Sequence, residues 1–221
     1  MSKSMPKVRS KGFANPAQTW DARFSTDSYI FGTEPNVWLS RQRARLATGA
    51  KVLSVADGEG RNSVWLAQQG MQVDAFDISP VGVGKAVKLA ERVGVRVNFS
   101  ISSAEAFDWK VGEYDAVVAI FIQFADPVTR ATLFQRMKAA LKPGGVLLLQ
   151  GYAPKQLEYK TGGPPLLDHL YTEDLLREAF GDMTILELVS YEDVLREGTQ
   201  HSGQSALISL SARKAFSGKA E

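Results

Sequence analysis

Residues 52–62 read V-L-S-V-A-D-G-E-G-R-N. An apolar strand runs straight into a turn that holds Gly58 and Gly60 and then into a helix, which leaves backbone N–H groups open toward a ligand. A second apolar run, residues 73–76, ends in Asp77, where a carboxylate can accept hydrogen bonds from both hydroxyls of a ribose. Together the two strand ends read as a nucleoside-cofactor site.

Downstream of this turn, apolar runs at 51–56, 72–77, 95–101, 114–121 and 146–151 alternate with segments of helical period. That alternation predicts a parallel sheet with crossover helices. Val83, Ala86, Val87, Ala90 and Val93 fall on one helical face between Pro80 and Gly94. Asp126 is placed to cap a helix that starts at Pro127 and carries Leu133, Phe134, Met137 and Leu141. Pro143-Gly144-Gly145 then stops that helix and turns the chain. Residues 152–170, rich in Gly, Pro and Tyr, read as a long functional loop, and Thr172 caps a helix through Phe180. Two final strands, 183–191 and 205–212, lack a helix between them and are expected to pair antiparallel through a polar connection, 192–204. The fold class is therefore α/β: doubly wound, with a mostly parallel seven-stranded sheet, an antiparallel last strand and a Rossmann-like core.

The chain has 221 residues, 44% of them apolar, enough for one domain with a sizeable core. It has no cysteine, which excludes disulfides, cysteine zinc sites and a thiol nucleophile. The net charge of +2 is more than accounted for by Lys3, Lys7, Arg9 and Lys11, so residues 1–14 read as a basic, solvated tail and the rest as near neutral. That composition argues against a nucleic-acid surface, and the absence of a long apolar run argues against a membrane span. Cytoplasmic location is the expectation. The remaining residues, 15–221, are expected to form one domain, with a helical lid over 15–50 and a core over 51–214. Asn15 and Pro16 can start a helix carrying Ala17, Trp20 and Phe24, with a second helix around Trp38 and Leu39. Trp20, Phe24 and Trp38 read as residues that dock this segment on the core. Tyr29, Phe31 and Gly32, in the loop between the helices, are better placed to cover a ligand.

Nicotinamide dehydrogenases and S-adenosylmethionine-dependent methyltransferases both place a Gly-rich turn before an acid on the second strand. The dinucleotide fingerprint G-x-G-x-x-G matches poorly, because counting from Gly58 its third glycine is Ser63. A turn that meets no pyrophosphate needs only alternate small residues, and Ala56, Gly58 and Gly60 supply them. Here the chain, from about Trp20 to Lys214, resembles the class I methyltransferases. The resemblance rests on this turn, on Asp77, on Leu141-Lys142-Pro143-Gly144-Gly145 before the fifth strand, and on the antiparallel final pair. The segments W-D-A-R-F and Y-I-F-G-T-E-P-N resemble, more narrowly, the small bacterial methyltransferases of the tellurite-resistance and thiopurine group, in which the aromatic N-terminal segment covers the cofactor. Ser54 stands where that family has an acid, Ala56 replaces its first glycine, and Asp57 could restore a carboxylate near the cofactor's amino group.

The resemblance implies S-adenosyl-L-methionine as cofactor, with backbone contact at Gly58 and Gly60, the ribose on Asp77 and the adenine beside Ile78. Ser103, Ala104 and Glu105 would meet the adenine amino group, and Phe121 would lie beneath the methionine portion. Arg61 and Asn62 either touch the cofactor or are only the first turn of a helix. Methyl transfer to a small-molecule acceptor, a thiol or chalcogen compound as the leading choice, would be an in-line displacement without a metal. Acceptor-side candidates are Gln123, Tyr152 and Tyr159 as orienting groups and His201, in a loop expected to be exposed, as base. His169 is expected to do no chemistry. A nicotinamide oxidoreductase and a non-catalytic S-adenosylmethionine-binding protein are the competing readings.

Overall fold

The computed structural model describes residues 15–216, so the basic segment 1–14 lies outside the described residues. The strands are β1 (Lys51–Val55), β2 (Gln72–Asp77), β3 (Asn98–Ile101), β4 (Tyr114–Ile120), β5 (Leu141–Tyr152), β6 (Thr184–Glu197) and β7 (His201–Arg213). They form one seven-stranded sheet in the order β3-β2-β1-β4-β5-β7-β6. The first five pair in parallel, and β7 runs antiparallel to both β5 and β6. Two N-terminal helices, α1 (Pro16–Phe24) and α2 (Val37–Arg41), precede the sheet; α3 (Arg61–Gln68), α4 (Pro80–Val93) and α5 (Pro127–Ala140) are crossovers; α6 (Gln156–Tyr159) and α7 (Glu173–Phe180) lie between β5 and β6.

Period-two alternation splits each central strand between two cores. Leu53, Val55, Val117, Ala119, Leu147 and Leu149 pack with Leu133, Phe134 and Met137 of α5 and Leu176 and Phe180 of α7. Val52, Ala116, Val118, Val146 and Leu148 pack on the other side with Trp38, Leu39, Leu66 and Met71. Both faces are covered, which is why these strands read as continuous apolar runs. Helix starts follow the side-chain chemistry. Asn15 Oδ1 accepts from Gln18 N at 3.3 Å, Asp126 Oδ1 from Thr129 N at 2.8 Å and Thr172 Oγ1 from Leu175 N at 3.2 Å.

Three of the differences from the sequence reading have clear physical causes. The third strand begins at Asn98 instead of 95, because Gly94 takes a left-handed cap and Val95 N–H turns back to Ala90 O at 3.1 Å, using those residues to close α4. Leu141 is the first residue of β5 instead of a helical one. The Pro-Gly-Gly turn survives as an irregularity inside the strand, where Tyr114 pairs with Leu141 but Ala116 pairs with Val146. The largest difference is at residues 192–204. β6 and β7 pair all the way from Thr184 and Arg213 to Glu197 and His201, leaving only Gly198, Thr199 and Gln200 as loop. The polar run reads as a connection because β6 is a sheet edge whose Glu192, Asp193 and Arg196 face solvent, while Leu195 and Glu197 are buried.

Gly60 fixes how closely the turn after β1 approaches α4. Its φ is +90°, and a Cβ there would meet Ala86 Cβ at 2.7 Å and Cα at 2.8 Å. Gly60→Ala therefore adds left-handed strain to overpacking, and we expect a loss of about 2–4 kcal/mol. Urea denaturation should show a lower midpoint at unchanged m value; a wild-type midpoint contradicts this packing.

Candidate functional site

Crossovers from β1 and β4 leave the sheet in opposite directions along its order, so a crevice opens at their carboxyl ends, the position at which open α/β sheets take ligands. A cavity of about 250 Å³ occupies it. Its floor is the turn after β1. Ala56 and Phe121, at the ends of β1 and β4, both adopt left-handed backbone, with φ of +49° and +57°. For side chains bearing a Cβ this costs about 1–2 kcal/mol each, and it explains why a glycine suits the position of Ala56.

Asp77 is the carboxylate at the centre of the floor. Its Oδ2 accepts from Gly58 N at 2.8 Å and its Oδ1 from Ser79 N at 2.9 Å. The Ile78 N–H also acts on this carboxylate, whose four lone pairs are not all used. Burial pushes the carboxyl up to about 6, against the opposing effect of the backbone bonds from Ser79 and Gly58. Ile78, Ser103, Ala104 and Glu105 line the same end of the cavity. Asp57 also lines it, but is already committed: Oδ1 accepts from Ser54 Oγ at 2.6 Å and from Ser63 N at 3.3 Å, and Oδ2 takes the Ser63 hydroxyl. Burial raises its carboxyl above the ordinary range despite those bonds. Ser63, where a dinucleotide fingerprint has glycine, is thus a partner of this carboxylate.

The other end is aromatic. Phe31 and Phe121 flank the His201 imidazole at centroid distances of 4.4 and 4.3 Å, and Trp20 and Phe24 stack at 5.4 Å beside Phe31. His201 corrects the expectation of an exposed loop. It is 8% exposed, opens β7 and pairs across the hairpin with Glu197. Burial, ahead of the positive charge of Arg61 and Arg23, lowers it to about 4 against the pull of Glu197, so the ring is neutral at pH 7.

Ala56, Asp57, Gly58, Arg61, Asn62, Asp77, Ile78, Ser103, Ala104, Glu105, Phe31, Phe121 and His201 all line the cavity. Other candidates lie elsewhere. Tyr29 Oη donates to Lys85 O at 3.0 Å, and Gly32 packs on Gly198 at the hairpin tip. Gly60 is spent on the contact with α4. Gln123 is buried and fully used, accepting from Tyr152 N at 2.6 Å and donating to Tyr152 O at 2.9 Å and His169 O at 3.1 Å. Tyr159 donates to the exposed Glu192. Tyr152 backs the site through its ring, 4.7 Å from Phe121. Sequence reasoning missed Pro16, Trp20, Phe24 and His169 as lining residues. Pro16, Trp20 and Phe24 do form an i, i+4, i+8 stripe, but a stripe shows that a face is covered and not by what. Among the described residues no group of three or more His, Asp or Glu could hold a metal, and no helix is long and apolar enough to cross a membrane.

Residues 52–145 match the family model described as a methyltransferase domain. The chain has the fold of the class I methyltransferases. An uncharacterised methyltransferase of Synechocystis is 28% identical over 122 residues, covering 54% of this chain and 55% of that protein. A ubiquinone biosynthesis O-methyltransferase of Xanthomonas axonopodis is 36% identical over 140 residues, covering 62% of this chain and 57% of the relative. The chain thus spans about half the length of the curated relatives it matches. Among solved structures, the N-methyltransferase NodS of Bradyrhizobium japonicum in complex with S-adenosyl-L-homocysteine shares the fold, with a TM-score of 0.69 at 15% identity over 90% of this chain and 97% of that one. The seven-stranded order with reversed β7 is that of the class I methyltransferase domain.

The state of Asp77 sets a pH dependence. Its folded value, about 6, lies above the ordinary 3.8, so the apo domain holds a proton there that the unfolded chain gives up, and this contribution to stability is lost as pH rises through 6. If this carboxylate takes a ribose, whose hydroxyls would donate to the ionised form, S-adenosylhomocysteine affinity should rise as pH passes through about 6 and level off above it. Asp77→Ala should weaken binding by about 1.5–3 kcal/mol, the range for hydrogen bonds to a charged group. Calorimetry between pH 5 and 8 checks both; an unchanged dissociation constant removes Asp77 from the site.

Proposed function

We propose that this chain is an S-adenosylmethionine-dependent methyltransferase acting on a small, uncharged, weakly acidic acceptor, with thiols and chalcogen compounds the leading class. The observation that carries the cofactor half is the pair Gly58 and Asp77: a backbone N–H and a buried carboxylate joined at the switch point of the sheet. The donor set fits the group. Asp77 has free lone pairs for a ribose, Ile78 and Ala104 offer an apolar shelf for a purine, and Gly58 leaves the backbone of the turn open. When bound, the cofactor supplies an electrophilic methyl on a sulfonium with a good leaving group.

The acceptor half rests on what the remaining walls can do. Trp20, Phe24, Phe31, Phe121 and Phe124 give an apolar, stacking environment. Three charged groups that line it are engaged: Arg61 with Glu197 at 2.7 Å, Asp57 with Ser54 and Ser63, and Asp126 with Thr129 N at 2.8 Å. A charged acceptor would lose its hydration there without gaining a partner. Neutral His201 faces this space and can take the proton of a thiol or hydroxyl as it becomes a nucleophile. Residues 15–50 close the cavity from above through α1. Asp21 caps α4 by accepting from Ser79 Oγ and Val81 N, and Lys85 Nζ donates to Phe24 O, Thr26 O and Ser28 O while pairing with buried Glu59 of the Gly58-Glu59-Gly60 turn. This segment is a cover that excludes water. The resemblance of W-D-A-R-F and Y-I-F-G-T-E-P-N to the tellurite-resistance and thiopurine group supports the same acceptor class.

The test is a panel of thiols, selenite, tellurite, phenols and amines, followed by S-adenosylhomocysteine release, beside calorimetry with S-adenosylmethionine and NAD. Binding of NAD in place of S-adenosylmethionine overturns the cofactor half, and cofactor binding without turnover on any acceptor favours a non-catalytic binding protein. With an active acceptor in hand, His201→Ala should lower kcat by about 10²-fold for a phenol, which must lose its proton, and by less for a thiol already ionised at the assay pH. An undiminished kcat for both leaves proximity as the whole mechanism.

A further inference from the structure

His201 and Glu197 form the closing pair of the β6–β7 ladder, so their side chains leave the same face of the hairpin as cross-strand neighbours. Glu197 Oε2 stands 3.9 Å from His201 Nδ1, outside hydrogen-bond range, and Nδ1 is buried with no hydrogen-bond partner. The carboxylate itself is held on every other side. Its Oε1 accepts from Asn36 Nδ2 at 3.0 Å and Val37 N at 3.1 Å, and its Oε2 meets Arg61 Nη2 at 2.7 Å. Asn36 is fixed in turn by Gln150 Oε1 at 2.7 Å and by donating its own N–H to Asn62 Oδ1 at 2.9 Å. Phe31 and Phe121 pack against the imidazole, their rings tilted by 38° and 58° to its plane.

We propose that Glu197 is the positioning residue for His201: it holds the neutral imidazole with its proton on Nδ1, toward the carboxylate, and so leaves Nε2 as the proton acceptor. This rests on the reading of His201 as the base of the methyl-transfer site. The physical ground is the choice a neutral imidazole has: one ring nitrogen carries hydrogen and the other a lone pair. A lone pair on Nδ1 would face a carboxylate oxygen with nothing between them, whereas an N–H there faces its natural acceptor. The 3.9 Å gap is of the kind that closes when a ligand fills an active site. An orienting carboxylate behind a catalytic imidazole works by this same tautomer control in the Ser-His-Asp triad. The charged and titratable groups facing the ring are Glu197 from β6, Arg61 from α3, Arg23 from α1 and the Tyr152 hydroxyl from β5. Both arginines disfavour the imidazolium, and Glu197 alone favours it. Burial pushes the Glu197 carboxyl up, but the neighbouring imidazole, Arg61 and the Val37 N–H outweigh it and bring it down to about 2, so the orienting charge persists across the working range. Glu197 also ties the base to two other parts of the site, since Arg61 opens the helix after the cofactor turn and donates to Phe31 O at 3.3 Å, and Asn36 caps α2.

The experiment is nitrogen-15 NMR of the imidazoles in the full chain. The sequence has only two histidines, so a His169→Gln variant assigns His201 directly. At pH 7 the wild type should show neutral His201 with hydrogen on Nδ1. Glu197→Gln removes the charge at nearly constant shape and should move the population toward the Nε2–H form. Wild-type His201 as the Nε2–H form overturns the proposal, as does an unchanged tautomer in a folded Glu197→Gln; should that variant not fold, the wild-type spectrum alone decides. Calorimetry with S-adenosylhomocysteine separates the two levels: a wild type that does not bind it sinks the methyltransferase reading, whereas a wild type that binds it but carries the wrong tautomer sinks only the role of Glu197. With an active phenol acceptor, Glu197→Gln should lower kcat at least tenfold at nearly constant KM and move the acid limb of its pH profile, two readouts that a purely structural loss would not produce together.

Discussion

The 2.8 Å hydrogen bond from Gly58 N–H to the Asp77 carboxylate joins the ends of two parallel strands across the turn that opens α3. Without it, the turn would leave a donor unpaired and a carboxylate desolvated in the same small space, and each is costly when buried. With it, both become a fixed part of the cavity floor. The geometry has a steric condition as well. Gly58 and Gly60 carry φ of +62° and +90°, and Gly60 lies against Ala86 of α4 closely enough that no side chain fits. Ala56 takes a left-handed backbone without being glycine. That strain sits where the sheet, the turn and the cavity meet, and is sustained by the packing around it.

A second buried interaction plays the corresponding part on the opposite wall. The Arg61–Glu197 pair, with both side chains less than a tenth exposed, joins the first turn of α3 to the hairpin tip. Thr199 and Gln200 N–H groups both reach Ile30 O, at 2.9 and 3.1 Å, so the same tip carries the N-terminal segment. A buried ion pair is weak support for stability by itself, because desolvation offsets much of its attraction. Its contribution here is to register: three segments distant in sequence are brought to one point, and His201 stands beside it.

Much of the fold was legible locally. The runs at 51–56, 72–77 and 114–121 carry both cores in alternation, and Asn15, Asp126 and Thr172 mark helix starts because their side chains accept the first free N–H groups. Asp77 could be singled out because it ends the strand that follows the glycine turn, the place where a ribose carboxylate is expected. The errors cluster where exposure was inferred from composition. Residues 192–204 are polar because they form an edge hairpin, and the flanking Gln and Ser made His201 look solvated. Gln123 and Tyr159 suggested chemistry by type, yet their hydrogen bonds are spent on Tyr152, His169 and Glu192.

By itself the sequence determined the α/β alternation, the reversed final strand, the helix caps and the glycine turn that precedes the strand ending in Asp77, since all of these follow from periodicity and short-range hydrogen bonding. Only the tertiary structure decided that Trp20 and Phe24 form a wall of the cavity, that His201 is buried and neutral between Phe31 and Phe121, and that Glu197 stands behind it. The physical reason is the sheet order. Inserting β7 between β5 and β6 carries the hairpin tip over the crevice, and no local pattern encodes which loop a strand inserted late in the chain will meet.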